Sequence, residues 1–300
     1  MDMTQNKCCR HGASLRRRRR RRRKILRSII FSCSIIAVAV FVTVGSSMIR
    51  SGDGRTNKYD VEAGNNTYDN AVIENSKISE KNKIQNNQSM HDDIMNSTQY
   101  PKQLKDLALK NEEALEFVYD YPAEHVKEHT IDLTEEASMD SVPLFVQWDK
   151  RWGYEKYSGN FFAASGCGPT TLSMVVVYLT HNRDASPIAV AKYSKEAGYS
   201  VDGSGSSWTL ISEGCRHYGV KAKTVALDES RMKAELDAGH PIVINVGPGD
   251  FTDTGHFMVI TGYDDEGFSI NDPNSIEKSG KRWLFKNISS QIRAVWSMYV

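Results

Sequence analysis
Beyond residue 50 the chain has only two cysteines, Cys167 and Cys215, because Cys8, Cys9 and Cys33 all fall within the first fifty positions. So few thiols exclude a disulfide-stapled scaffold, although the two could pair with each other. The same region is short of positive charge. Thirteen of the 38 basic residues but one of the 37 acidic ones lie at positions 1–50, which leaves the remainder at net −11. An acidic body binds phosphate poorly, so no nucleic-acid partner is expected, and it should stay off anionic headgroups. No internal repeat is visible. Positions 51–100 also lack a sustained apolar period and have almost no aromatic residues, being rich instead in Asn, Ser, Lys, Asp and Gln. Such a segment buries too little surface to offset its ordering entropy, and a disordered stalk is expected over residues 50–100.

What is present begins with eight consecutive arginines, Arg16 to Arg23, followed by Lys24 and Arg27 and then an uncharged stretch from Ser28 to Ile49. About 20 apolar residues suffice to cross a bilayer core as a helix. Basic residues flanking a first span stay in the cytoplasm. The sequence therefore reads as a basic cytoplasmic tail over 1–27, a transmembrane anchor over 28–49 and a body outside the plasma membrane. A cleaved signal peptide is the nearest rival, with Val44, Gly45 and Ser46 small enough for cleavage; its apolar core normally runs only about 7–15 residues. A basic run also fits a nuclear-import or nucleic-acid patch, but the adjoining apolar span favours the membrane. Cys8 and Cys9 fit either palmitoylation or plain surface thiols.

Character changes again at Pro101. Leu104, Leu107, Leu109, Ala114, Leu115, Phe117 and Val118 recur at helical spacing, and Asn111 before two glutamates suits a cap. One or two amphipathic helices are expected there, docked on the C-terminal domain, with Pro122 ending the pattern and a charged connector leading to residue 140. Residues 141–300 have the length of one domain. Within it, helices are expected near 168–179, 187–197, 207–217 and 229–238, then strands at 242–246, 256–263, 268–271 and 295–299. Helices first and antiparallel strands later make an α+β fold.

The chemistry gathers at two motifs. In Ser165-Gly166-Cys167-Gly168-Pro169-Thr170-Thr171 the glycines leave room for a substrate backbone, and Pro169 suits a first helical turn. A thiol at a helix start is biased toward thiolate, the form that attacks carbonyls. In Thr254-Gly255-His256 the histidine opens a strand whose hairpin partner ends at Asp272. Their midpoint, residue 264, falls in the turn, so both side chains should emerge at the hairpin's open end. Nucleophile, base and orienter then make an acyl-transfer triad of Cys167, His256 and Asp272. Gln147 is the candidate oxyanion donor, with the N–H of Cys167 as the second. Gly166, Gly255 and Trp208 are candidates for the substrate cleft, Trp208 being equally compatible with the core.

Residues 143–300, with PLFVQWDKRWGY, SGCGPTTLSM, GSGSSW, GPGDF, GHFMVITGY and NDPNS, resemble the C39-like bacterial cysteine peptidases of the papain superfamily, relatives of the peptidases that cut double-glycine leaders from bacteriocins. The resemblance implies a papain-like fold, the same three catalytic residues and no metal or other cofactor. One position departs from the pattern: six residues before the cysteine, where the leader peptidases have glutamine, this chain has Phe161. The leader peptidases work in the cytoplasm fused to an exporter, so leader processing is not carried over.

Other motifs have simpler explanations. His125-Val126-Lys127-Glu128-His129 spells a zinc-peptidase pattern, but it follows Pro122 in a charged connector without a supporting helix. Four Asn-X-Ser/Thr sites, beginning at Asn65, Asn87, Asn96 and Asn287, are expected by chance in an Asn-rich chain. Cys215 reads as a packed thiol. The expected function is a membrane-anchored, extracytoplasmic cysteine peptidase acting on a peptide. Its rivals are a hydrolase of cell-wall stem peptides and a surface binding module whose triad is vestigial or locked by a Cys167–Cys215 bridge.

Overall fold
The structure, a computed structural model, describes residues 64–300, with side chains from residue 79. The basic tail, the expected anchor at 28–49 and the start of the expected stalk lie outside the described residues. Among the described residues no helix is long and apolar enough to cross a membrane.

The expected stalk is corrected over much of its length: α1 (Gly64–Asn96) is helical. Its described side chains are mostly exposed, but Ile94 near its end is fully buried, and Asn87 and His91 both reach the carboxylate of Glu112. Docking one end supplies the costly helix nucleus, after which polar residues add turns at little expense. Composition registered only the missing apolar stripe.

Next come α2 (Lys102–Lys110), a 3-10 turn at Glu112–Ala114, α3 (Leu115–Tyr119) and α4 (Tyr121–Glu124). Asn111 accepts the Glu113 N–H at 3.0 Å, the expected cap. Pro122 sits in the first turn of α4, where its missing N–H is harmless, rather than ending helical structure. Ile94, Leu104, Leu115, Phe117 and Val118 form one buried cluster with Phe161 and Ala163. The expected connector also contributes to the interior: α5 (Thr134–Ser138) places Ala137, with neighbouring Leu133, in the main core. Residues 73–300 form one compact unit, so the segment 101–140 is continuous with the domain expected at 141–300.

Short α6 (Phe162–Ser165) leads into α7 (Cys167–Thr180), followed by α8 (Pro187–Glu196), α9 (Thr209–Ser212) and α10 (Glu229–Asp237). The helix expected over 207–217 divides into α9 and a 3-10 turn at Gly214–Tyr218. Two small hairpins, β1 (Lys156–Tyr157) with β2 (Asn160–Phe161) and β3 (Ser200–Val201) with β4 (Gly205–Ser206), flank the helical layer. The main sheet contains β5 (Lys221–Thr224), β6 (Ile242–Val246), β7 (His256–Asp264), β8 (Gly267–Asn271), β9 (Arg282–Trp283) and β10 (Ile292–Tyr299). It is antiparallel throughout, in the order β5-β10-β6-β7-β8-β9. Side chains alternate between faces. Val243, Phe257, Val259 and Trp296 pack with Leu172, Met174 and Val176 of α7, while Ile244, Met258, Ile260 and Ile270 pack with Met232 of α10 on the other side. An α+β fold with both sheet faces covered results.

Candidate active site
Helix α7 begins at Cys167 itself, behind Gly166. Gly166 is needed there for packing: a Cβ would meet a ring carbon and the carbonyl oxygen of Phe162, both at 2.6 Å. One turn on, Thr171 Oγ1 donates to Phe257 O at 3.0 Å, tying the start of α7 to the start of β7. Residue 256 opens β7, so this bond brings the thiol beside the imidazole. The Cys167 thiol and the His256 imidazole line the same cavity and interact electrostatically. Nε2 of His256 lies 2.7 Å from Oδ1 of Asp272, with His256 6% and Asp272 1% exposed. An ionised carboxylate only accepts, so Nε2 carries the proton and Nδ1 is left to face the thiol.

The route by which Asp272 arrives differs from a simple hairpin count. In β7 and β8, Val259 pairs with Asn271 and Asp264 with Gly267, with a register shift between Ile260 and Gly262. Continued past Asn271, that ladder would set Asp272 beside Met258, two residues from His256. Instead the chain leaves β8 in a tight turn, with Asp272 bridged to Ser275, and the carboxylate reaches back diagonally. Asn274 N–H donates to the same Oδ1 at 2.8 Å, while Oδ2 is buried without a protein partner.

Charge follows from this geometry. Burial disfavours the imidazolium, but the charge and hydrogen bond of Asp272, with help from Cys167, win and push His256 up to about 10. Burial also raises the Cys167 thiol. Hydrogen bonding to His256, its charge and the N–H groups of Phe257 and Gly168 outweigh that and hold the thiol below its ordinary value. The pair favours thiolate and imidazolium. Cys215 contrasts: buried in the core without such a partner, it is pushed up to about 11. Both cysteines are free thiols.

A cavity of about 510 Å³ opens over the pair, lined among others by Gln147, Cys167, Gly255 and His256. Gln147 is 4% exposed; its Nε2 donates to Ala163 O at 2.7 Å, and Oε1 has no protein partner. An amide nitrogen has two hydrogens, so one N–H of Gln147 remains beyond its bond to Ala163 O. Trp208 does not line this cavity. It is 48% exposed and packs edge-on against Trp296, 5.9 Å between ring centroids. Sequence reasoning also missed most of the wall. One side comes from α2, with Asp106, Lys110 and the following Asn111, and the other from the loop 249–255 with Asp250 and Asp253. The GPGDF motif marked that loop; nothing in the sequence marked α2 as its neighbour. Around His125 and His129 no metal-binding cluster forms among the described residues; His125 stacks on Tyr121 and its Nδ1 lies 2.6 Å from the Tyr121 carbonyl.

Residues 139–300 match the model of the Peptidase_C39 like family, and the chain belongs to that family. No curated protein matches the sequence. Among solved structures the chain is similar to the peptidase domain of Streptococcus ComA, a bi-functional ABC transporter involved in a quorum-sensing pathway, at 18% identity and a TM-score of 0.38, covering 53% of this chain and 96% of that one. It is also similar to a protein of Bacillus anthracis described as a C39-like peptidase, at 17% identity and a TM-score of 0.33, covering 53% and 95%.

Proposed function
We propose that this chain is a cysteine peptidase that hydrolyses a peptide amide through Cys167, His256 and Asp272. The observation that carries the reading is the buried series from Asp272 through His256 to a partly exposed Cys167 at the floor of a cavity. The thiolate of Cys167 attacks the carbonyl carbon, and the oxyanion is received by the Cys167 N–H and the free N–H of Gln147. The imidazolium of His256 gives its proton to the leaving amine as the C–N bond breaks, leaving an acyl-thioenzyme. Water then attacks the thioester, His256 takes its proton, and the thiolate departs from the product carboxylate. Asp272 holds the imidazole and stabilises its charged form. No step requires a metal.

The same proposal sets the domain in a papain-like class and outside the plasma membrane, tethered by one helix. Support for the tether is the passage from Arg16–Arg23 into the apolar run Ser28–Ile49.

The test is alkylation of the full-length chain with iodoacetamide across pH, read by mass spectrometry at Cys167 and Cys215 separately. Cys167 should label at a pH well below the ordinary thiol range, and His256→Ala should abolish that acid-side reactivity. A Cys167 that labels only at alkaline pH, with or without His256, would sink the peptidase reading.

A further inference from the structure
The family match begins at residue 139, yet the turn that presents Asp272 is held by residues before it. Asn111, buried at the end of α2, donates Nδ2 to Asn274 O at 2.9 Å and to Asn274 Oδ1 at 3.1 Å. Asn274 in turn donates its N–H to Asp272 Oδ1, the same atom that receives His256. Two residues further, Glu113 accepts from the Ser275 hydroxyl, from Ile276 N–H at 2.7 Å and from Glu277 N–H at 3.1 Å. These groups start α11 (Ile276–Ser279) directly after the turn.

We propose that Asn111 is a positioning residue for the Asp272 carboxylate, so that the helical segment preceding the family domain is a working part of the catalytic centre. The inference rests on the triad reading above. The carboxylate has little else to locate it: Oδ2 lacks a protein partner, and Oδ1 takes its direction from the turn. Within the family domain the turn is also gripped by Gln147 N–H on Pro273 O, Trp148 Nε1 on Asn274 O and Ser279 Oγ on the Asp272 N–H. Asn111 adds two bonds to Asn274 from outside the family domain, and both residues line the cavity. Cys167 and Asp272 face His256 directly. The cavity is also lined by Asp250 and Asp253 of the loop, Lys278 of α11, and Asp106 and Lys110 of α2. None of these groups is altered by a change confined to Asn111.

Two variants of the full-length chain test the proposal. Asn111→Asp keeps the acceptor that caps Glu113 N–H but turns a carboxylate toward the Asn274 carbonyl. Asn111→Ser keeps a cap and is too short to reach Asn274. A loosened Asp272 stabilises the imidazolium less, and the imidazolium then stabilises the thiolate less. The acid-side labelling midpoint of Cys167 should therefore rise by about one pH unit, a roughly tenfold slower labelling on the acid side, with Cys215 still protected. An unchanged midpoint in both variants overturns the positioning role while leaving the triad intact. Labelling of Cys215 as fast as Cys167 also overturns it, because Asn111 would then support the fold at large. A wild-type Cys167 lacking His256-dependent reactivity overturns the triad reading and this inference with it.

Discussion

At the scale of single residues, Asp272 supplies both a hydrogen-bond acceptor and a negative charge, and two substitutions separate them. Asp272→Asn retains an acceptor for His256 Nε2 and loses the charge. In the proposed mechanism the active form is the one in which Cys167 has lost its proton and His256 has kept one. The alkaline limb of kcat/KM should thus fall from about 10 toward the ordinary histidine value, while the acid limb rises, narrowing the active range from both sides. Asp272→Ala loses both functions and should lower kcat/KM by about 100-fold or more. A pH profile of peptide hydrolysis for the three proteins checks this; identical limbs in wild type and Asp272→Asn would contradict it. Cys167 and His256 were legible because each sits in a short motif whose backbone context, helix start or strand start, can be read locally. Asn111 was legible as a cap, but its contact with Asn274 spans 163 positions and has no local signature.

At the scale of elements, helix α2 forms part of the cavity wall because its apolar face packs, together with that of α3, against Phe161 of β2 and Ala163 of α6. Leu115 is 1% exposed and belongs to that buried cluster. Leu115→Ala should destabilise the protein by about 2–5 kcal/mol, the transfer loss plus a cavity, read as a lower urea midpoint at unchanged slope. A loss below about 0.5 kcal/mol would mean that the cluster does not hold α3. Long apolar or alternating segments were read well: α7, β6 and β8 fall within a residue of expectation. The four-residue β5 was missed, since Lys221, Lys223 and Thr224 give no apolar alternation, and it owes its existence to pairing with β10 at the sheet edge. Helix α1 was missed for the related reason that a docked end can sustain a polar helix.

At the scale of the whole molecule, the opposition between a basic first fifty residues and an acidic remainder makes a topological prediction. In cells the full chain should stay with membranes after carbonate extraction, and a membrane-impermeant thiol reagent should reach Cys167 in intact cells. Recovery of the domain in the soluble fraction, free of residues 28–49, would favour the cleaved signal peptide instead. Labelling only after lysis would place the domain on the cytoplasmic side.

The sequence by itself determined the α+β order of elements, the glycine-flanked cysteine at the head of an apolar helix and the histidine at the head of a strand. Each of these is encoded within about ten residues, through periodicity and backbone preference. Only the tertiary structure decided how Asp272 reaches His256. The hairpin register sets it beside Met258, and a turn braced by Asn111 and Gln147 carries it back. Tertiary packing likewise set Trp208 against Trp296 and put α2 in the cavity wall. These outcomes depend on hydrogen bonds and packing between segments far apart in sequence, 163 positions for Asn111 and Asn274, whose meeting no local pattern specifies.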